Sequence, residues 1–287
     1  MRKFLLLALI LSFGYGAGAQ QRDYTDLLRR SSQHEKKAME NEHLFQFFER
    51  TQFEWGSETR LVIETPEGRI DRVVAFNDEP LAADHQKKEQ ERLSRFLRDA
   101  DALKKEISNQ REEDKRRELM VATLPDAFIV EFSGVEADGR LRFTFRPNPQ
   151  FSAKNRETQV FKAMQGWLWI DPVSERITEI RGELFKDVSF GWGILGHLYK
   201  GGRFEVLQSE INPGVWRITT LNLDFKGRLL LFRSLRILQK ENSNKFALSP
   251  PGMDARRALT HLLEGYSSTT EAAQGTRRLD DSSKSSQ

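Results

Sequence analysis

The chain has 287 residues, 45 Lys and Arg against 42 Asp and Glu, and no cysteine. Without cysteine there are no thiol nucleophiles, no cysteine-based zinc or iron–sulfur sites and no lipidated-cysteine anchor. Charges are dense but nearly balanced, which argues against nucleic acid as the natural partner.

Met1, Arg2 and Lys3 precede an apolar run from Phe4 to Phe13, and small residues then lead to Ala17-Gly18-Ala19. A basic start, a short apolar core and an A-x-A ending describe a secretory signal peptide over residues 1–19. The apolar run is too short to cross a bilayer, which takes about 20 residues. Losing Arg2 and Lys3 leaves 43 basic against 42 acidic side chains. No later segment is apolar for long enough to span a membrane. The expectation is an exported protein, periplasmic or secreted from a bacterium, with no transmembrane segment in the mature chain.

Thr25 to about Glu42 is polar and helix-compatible. Phe45, Phe47, Phe48, Phe53 and Trp55 bring a strand-rich composition. Arg60 to Phe76 reads as a hairpin, with turn chemistry at Thr65-Pro66-Glu67-Gly68. From Ala82 to about Leu119 there is no Gly or Pro, and Leu93, Phe96, Ala100, Leu103 and Ile107 recur at spacings of three and four. That pattern predicts one long charged helix, with 11 basic and 10 acidic side chains between Asp84 and Glu118. The heptad pattern is too brief for a coiled coil, so packing by one edge on the sheet is favoured over an arm that recruits a partner.

Strand character returns at Phe128. Phe128–Ser133 and Arg140–Arg146 bracket the loop Gly134 to Gly139, and Leu141, Phe143 and Phe145 alternate with polar residues. Thr158 to Ile170 reads as a long strand with Val160, Met164, Leu168 and Ile170 on one side and Phe161, Trp167 and Trp169 on the other. Ile177–Val188 follows, with Ile180, Leu184 and Val188 opposite Glu179, Arg181 and Glu183. Arg203–Ile211, Val215–Phe225 and Arg228–Gln239 complete the series, joined at Asn212-Pro213-Gly214 and Lys226-Gly227. A short helix is expected around Asp254–Leu263, within a flexible tail over 249–287.

The expected architecture is mainly β, of α+β type: a curled antiparallel sheet or incomplete barrel of about ten strands, with a helical insertion at about 82–119. Residues 20–248 form a single domain in this reading. Gly191-Trp192-Gly193-Ile194-Leu195-Gly196 matches G-x-G-x-x-G, but Gly201-Gly202 interrupts any following helix, so dinucleotide binding is set aside. The segment Trp192–Tyr199 reads instead as an apolar flap hinged by glycines. His34-Glu35 lacks the second histidine of H-E-x-x-H, and His34, His43, His85, His197 and His261 are scattered without ligand spacing. No catalytic group, metal or cofactor is predicted, and the chain is expected not to be an enzyme.

Phe145-Arg-Pro-Asn-Pro149, Met164-Gln-Gly-Trp-Leu-Trp-Ile-Asp-Pro172, Phe190-Gly-Trp-Gly193 and Gly214-Val-Trp216 resemble an uncharacterised family of secreted bacterial proteins. That family is itself similar to the periplasmic lipoprotein carrier LolA and its receptor LolB. The resemblance covers roughly Phe45 to Phe246 and departs from the carriers in 82–119. It implies a half-barrel with a helical lid over an apolar cavity that receives the acyl chains of a lipid or lipoprotein. The residues expected to line that cavity or its lid are Phe143, Phe145, Trp167, Trp169, Leu184, Trp192, Leu195 and Trp216. The alternative expectation is an envelope scaffold that docks a protein partner through 82–119.

Overall fold

The computed structural model describes residues 24–39, 44–190, 196–229 and 233–265. The expected signal peptide lies outside them. One antiparallel sheet organises the rest. Its strands are β1 (Phe45–Phe53), β2 (Gly56–Glu64), β3 (Arg69–Phe76), β4 (Glu79–Pro80), β5 (Phe128–Val135), β6 (Leu141–Pro147), β7 (Met164–Asp171), β8 (Arg176–Leu184), β9 (Val188–Phe190), β10 (Gly196–Leu198), β11 (Arg203–Asn212), β12 (Val215–Leu229) and β13 (Arg233–Leu248). The spatial order is β4-β3-β2-β1-β13-β12-β11-β8-β7-β6-β5, with the short hairpin β9-β10 joined to β12. The two end strands do not pair with each other, so the sheet is not closed.

Among the described residues five α-helices accompany it: α1 (Thr25–Met39), α2 (Ala83–Arg98), α3 (Ala100–Ala127), α4 (Arg156–Gln159) and α5 (Ala255–Glu264). The single helix expected over 82–119 is thus two helices. Asp99 separates them because its backbone is extended and its carboxylate accepts from the amides of Asp101 and Ala102, starting a new helix. The next helix then runs on to Ala127.

Residues facing each other across antiparallel strands share a face, so the pairings assign every strand residue to one of two sides. On one side lies the main core. Phe143 and Phe145 of β6, Met164, Leu168 and Ile170 of β7, Ile177 and Leu184 of β8 and Phe225 of β12 pack with Leu27 and Leu28 of α1 and Ala127 of α3. On the other side, at the β2–β3 end, Ile63 and Ile70 pack with Leu93 and Phe96 of α2, Ile107 of α3 and Ala258, Leu259 and Leu262 of α5. Buried Arg72 on β3 donates to the carbonyl of Leu262. The short helix expected around Asp254–Leu263 is present as Ala255–Glu264, and it is packed in this core rather than part of a flexible tail. Its Asp254 N-cap accepts from the Arg257 amide, and its apolar stripe completes the second core.

The strand expected from Thr158 begins only at Met164. Asn155 caps a helical turn by accepting from the Thr158 amide, and a 3₁₀ turn over Val160–Ala163 sends Val160, Phe161 and Ala163 into the main core. Capping and burial together outweigh the β-branched, strand-like composition there.

The sheet's free edge at β3 is closed by side chains. The Val73 amide donates to Glu89 Oε1 at 2.8 Å, Arg92 Nη2 donates to the Asp71 carbonyl at 2.7 Å, and the Arg69 amide donates to Gln110 Oε1 at 3.0 Å. Helices α2 and α3 thereby remove an edge that could pair with another chain.

Candidate functional site

Helix α3 measures how far the sheet curls. Nine inter-strand steps separate β3 from β5 in the strand order, about 43 Å along the sheet at the usual spacing. Yet Gln110 of α3 bonds to β3 and Ala127 adjoins β5. The helix between those residues is only about 26 Å long. A 43 Å arc spanned by a 26 Å chord is strongly bent. Met120, Leu124 and Ala127 join the main core, so the chord lies on that side and that side is the concave one.

The concave face is roofed by α1 and the C-terminal half of α3, joined where Ser32 Oγ donates to the Val121 carbonyl at 3.0 Å. The underside of α1 changes character along its length. Leu27 and Leu28 enter the apolar core, while one and two turns later the buried residues are Ser31, Ser32 and Glu35. Glu35 Oε2 accepts from Gln208 Nε2 of β11 at 2.9 Å, and its Oε1 lies 3.5 Å from Arg176 Nη1 of β8. That same guanidinium donates to the His34 carbonyl at 2.6 Å. Burial pushes the Glu35 carboxyl up from its ordinary value, against the pull of Gln208 and Arg176. Ser31 Oγ is fully buried with no hydrogen-bond partner.

The second half of the α1 underside is thus a polar seat. A helix held by Ser31, Ser32 and Glu35 gains little of the apolar burial that anchors a core helix. Beneath its edge the concave face carries a row of half-buried aliphatic side chains, Ile180, Val206 and Leu221, paired directly across β8, β11 and β12.

The residues expected to line a cavity separate into groups. Phe143, Phe145 and Leu184 are on the concave face, 1%, 5% and 1% exposed. They fill the core beneath the roof. Trp167 and Trp169 share the opposite, outer face. Trp167 is 49% exposed, and Trp169 donates from Nε1 to Glu136 at 3.0 Å with the Arg181 guanidinium 5.6 Å above its ring. Neither lines the concave side. Trp216 is half-buried at the β11–β12 turn, opposite Glu210. Trp192 and Leu195 lie outside the described residues. The described part of the expected flap is regular structure: Gly196–Leu198 is a strand paired with β9 on one side and β12 on the other. The Tyr199 amide also donates to the Lys226 carbonyl. An antiparallel hairpin here also excludes the strand–helix unit that a dinucleotide-binding reading of G-x-G-x-x-G would need.

That hairpin contains an arrangement the sequence did not reveal. Ser189 and His197 face each other across β9 and β10, and Ser189 Oγ lies 2.9 Å from His197 Nδ1. The other ring nitrogen, Nε2, is 3.0 Å from Asp187 Oδ2. Asp187 also accepts from the Lys200 amide, and this bond, followed by the histidine's, holds its carboxyl below the ordinary value. Serine, histidine and carboxylate thus form one chain, though the ring is turned so that serine meets Nδ1. Asp187 lies just before β9, two residues from Ser189 on it, and His197 stands opposite Ser189 on β10. That spacing is the signal that could have found the cluster.

Among the described residues no group of His, Asp and Glu side chains is arranged to hold a metal ion, and no helix is long and apolar enough to cross a membrane. Compared with protein-family models, curated proteins and solved structures, the chain finds no match.

Proposed function

We propose that this chain is a binding protein that takes an acyl lipid, or the acyl chains of a lipoprotein, against the concave face of its sheet when the α1–α3 roof swings away. The observation that carries the reading is the half-polar roof. The concave face below it is apolar across much of β6, β7, β8 and β12, with Arg176 and Gln208 rising to meet the roof, while the helix above is seated on Ser31, Ser32 and Glu35. An acyl chain of ~15 methylenes gains on the order of 12 kcal/mol gross on leaving water. That is ample to replace the Leu27 and Leu28 contacts and release the polar seat to solvent.

The test is direct. Native mass spectrometry of the gently purified protein should show acyl-lipid adducts, and a dansylated fatty acid should gain fluorescence on titration. Absence of both adduct and fluorescence gain would overturn the proposal.

A second reading, favoured by the Ser189–His197–Asp187 chain, is hydrolysis with Ser189 as nucleophile and His197 as base. A fluorophosphonate probe should then label the native chain and fail on Ser189→Ala. No labelling, or labelling that survives the substitution, removes this reading.

A further inference from the structure

The outer face of the sheet carries a groove of about 480 Å³ that runs across the strands, on the side opposite the roof. Two rows of side chains in register build it. One is Trp167, Arg181, Glu205, Asn222 and Lys240, directly paired across β7, β8, β11, β12 and β13. The other, two residues along each strand, is Glu183, Arg203, Asp224 and Leu238. The volume lies within the range of about 300–1,000 Å³ usual for small-ligand clefts. Four strand spacings give the first row a length of about 19 Å.

We propose that this groove binds a neutral oligosaccharide, with Trp167 as the platform on which one sugar ring stacks. Three features favour that chemistry. First, Trp167 is an indole half in solvent, outside every core cluster, at one end of an ordered polar ladder. A flat apolar ring with a polar surround suits a pyranose, whose ring face presents C–H groups while its rim presents hydroxyls. Second, the lining charges cancel: Arg181, Arg203 and Lys240 oppose Glu183, Glu205 and Asp224. A polyanion or polycation would meet as many repelling as attracting groups, whereas uncharged hydroxyls can donate to the carboxylates and accept from the cations. Third, the polar groups are held in place before any ligand arrives. Asn222 Nδ2 donates to Glu205 Oε2 at 2.6 Å, Glu205 Oε1 lies 2.9 Å from Arg181 Nε, and Gln165 Nε2 donates to Glu183 Oε1 at 3.2 Å. Such preorganisation lowers the ordering cost of binding.

Behind the groove, on the concave side, Gly166 and Gly182 lie opposite each other: a Cβ on Gly182 would fall 2.5 Å from the Phe204 ring and one on Gly166 2.0 Å from the Arg181 carbonyl. Trp167 and Arg181 are direct register partners on the groove side. The inference is independent of the acyl-lipid reading, since the two sites are on opposite faces.

The test is calorimetric titration of the full chain with cellotetraose, chitotetraose and maltotetraose, with dextran sulfate as the charged comparison. At least one neutral tetrasaccharide should bind. Trp167→Ala should weaken it roughly tenfold or more, whereas Trp167→Phe keeps a platform and should lose roughly threefold or less. Asn222→Ala should also weaken it, and the thermal midpoint of Trp167→Ala should stay near that of the parent because the indole is outside the core. Binding of none of the three at millimolar concentration, unaltered binding in Trp167→Ala, or binding of dextran sulfate in preference to all three would overturn the proposal.

Discussion

Glu49 is the residue whose ionisation the fold opposes most plainly. It stands on the concave face of β1, opposite Ser243, while Glu241 stands on the same face opposite Thr51. Burial, and then the charge of Glu241, push its carboxyl up to about 7, with Arg69 and Arg60 pulling the other way. The unfolded chain releases this proton near 4.5, so between the two values the folded state holds more proton than the unfolded one. Stability from this group therefore falls as pH rises from 4.5 to 7 and is level above that. Glu49→Gln, neutral throughout, should be more stable than the parent at pH 8, with the advantage shrinking toward pH 4.5. Thermal unfolding at the two pH values checks it, and an equal difference at both would contradict the assignment. The same residue scale shows a limit of sequence reading. Alternation correctly places Trp167 and Trp169 on one face of β7, but Leu168 and Ile170 on the other face are just as apolar. Only the partners of β7 decide which side is core.

At the scale of elements, α5 is the helix on which the β2–β3 end depends. Leu259 is fully buried between α2 and β3, so Leu259→Ala should cost about 2–5 kcal/mol in denaturant unfolding. A change below about 1 kcal/mol would mean that α5 adds little to the second core. The junction of α2 and α3 gives a smaller test. Asp99→Ala removes both accepted amide bonds and should cost about 1 kcal/mol, whereas Asp99→Ser should recover most of it. Hairpins such as β2–β3 and β5–β6 were legible because turn chemistry is local: Thr65 bonds the Gly68 carbonyl within the turn itself. The break at Asp99 was not legible, since charged residues at helical spacing continue on both sides of it. The helical turns over 156–163 were hidden for a related reason. Asn155 sets them through side-chain bonds accepted from the Thr158 amide and hydroxyl, and the residues after it read equally well as strand.

For the whole molecule, the curl of the sheet and the roof across it are properties of long-range pairing, with β1 beside β13 and α3 joining opposite ends of the strand order. Short-range patterns announce the strands but not that order. The polar seat under α1 is similarly distributed, because Glu35 meets Gln208 and Arg176 from strands far along the chain. If the roof must lift for an acyl chain to enter, fastening it should abolish uptake. The absence of native cysteine allows Glu35→Cys and Gln208→Cys to be joined by a short bismaleimide with no competing thiol. The decisive measurement is titration of that cross-linked chain with a dansylated fatty acid, beside the same double variant capped at each cysteine by a monofunctional maleimide. The account predicts binding in the capped protein and none in the cross-linked one. Equal binding in both would contradict it.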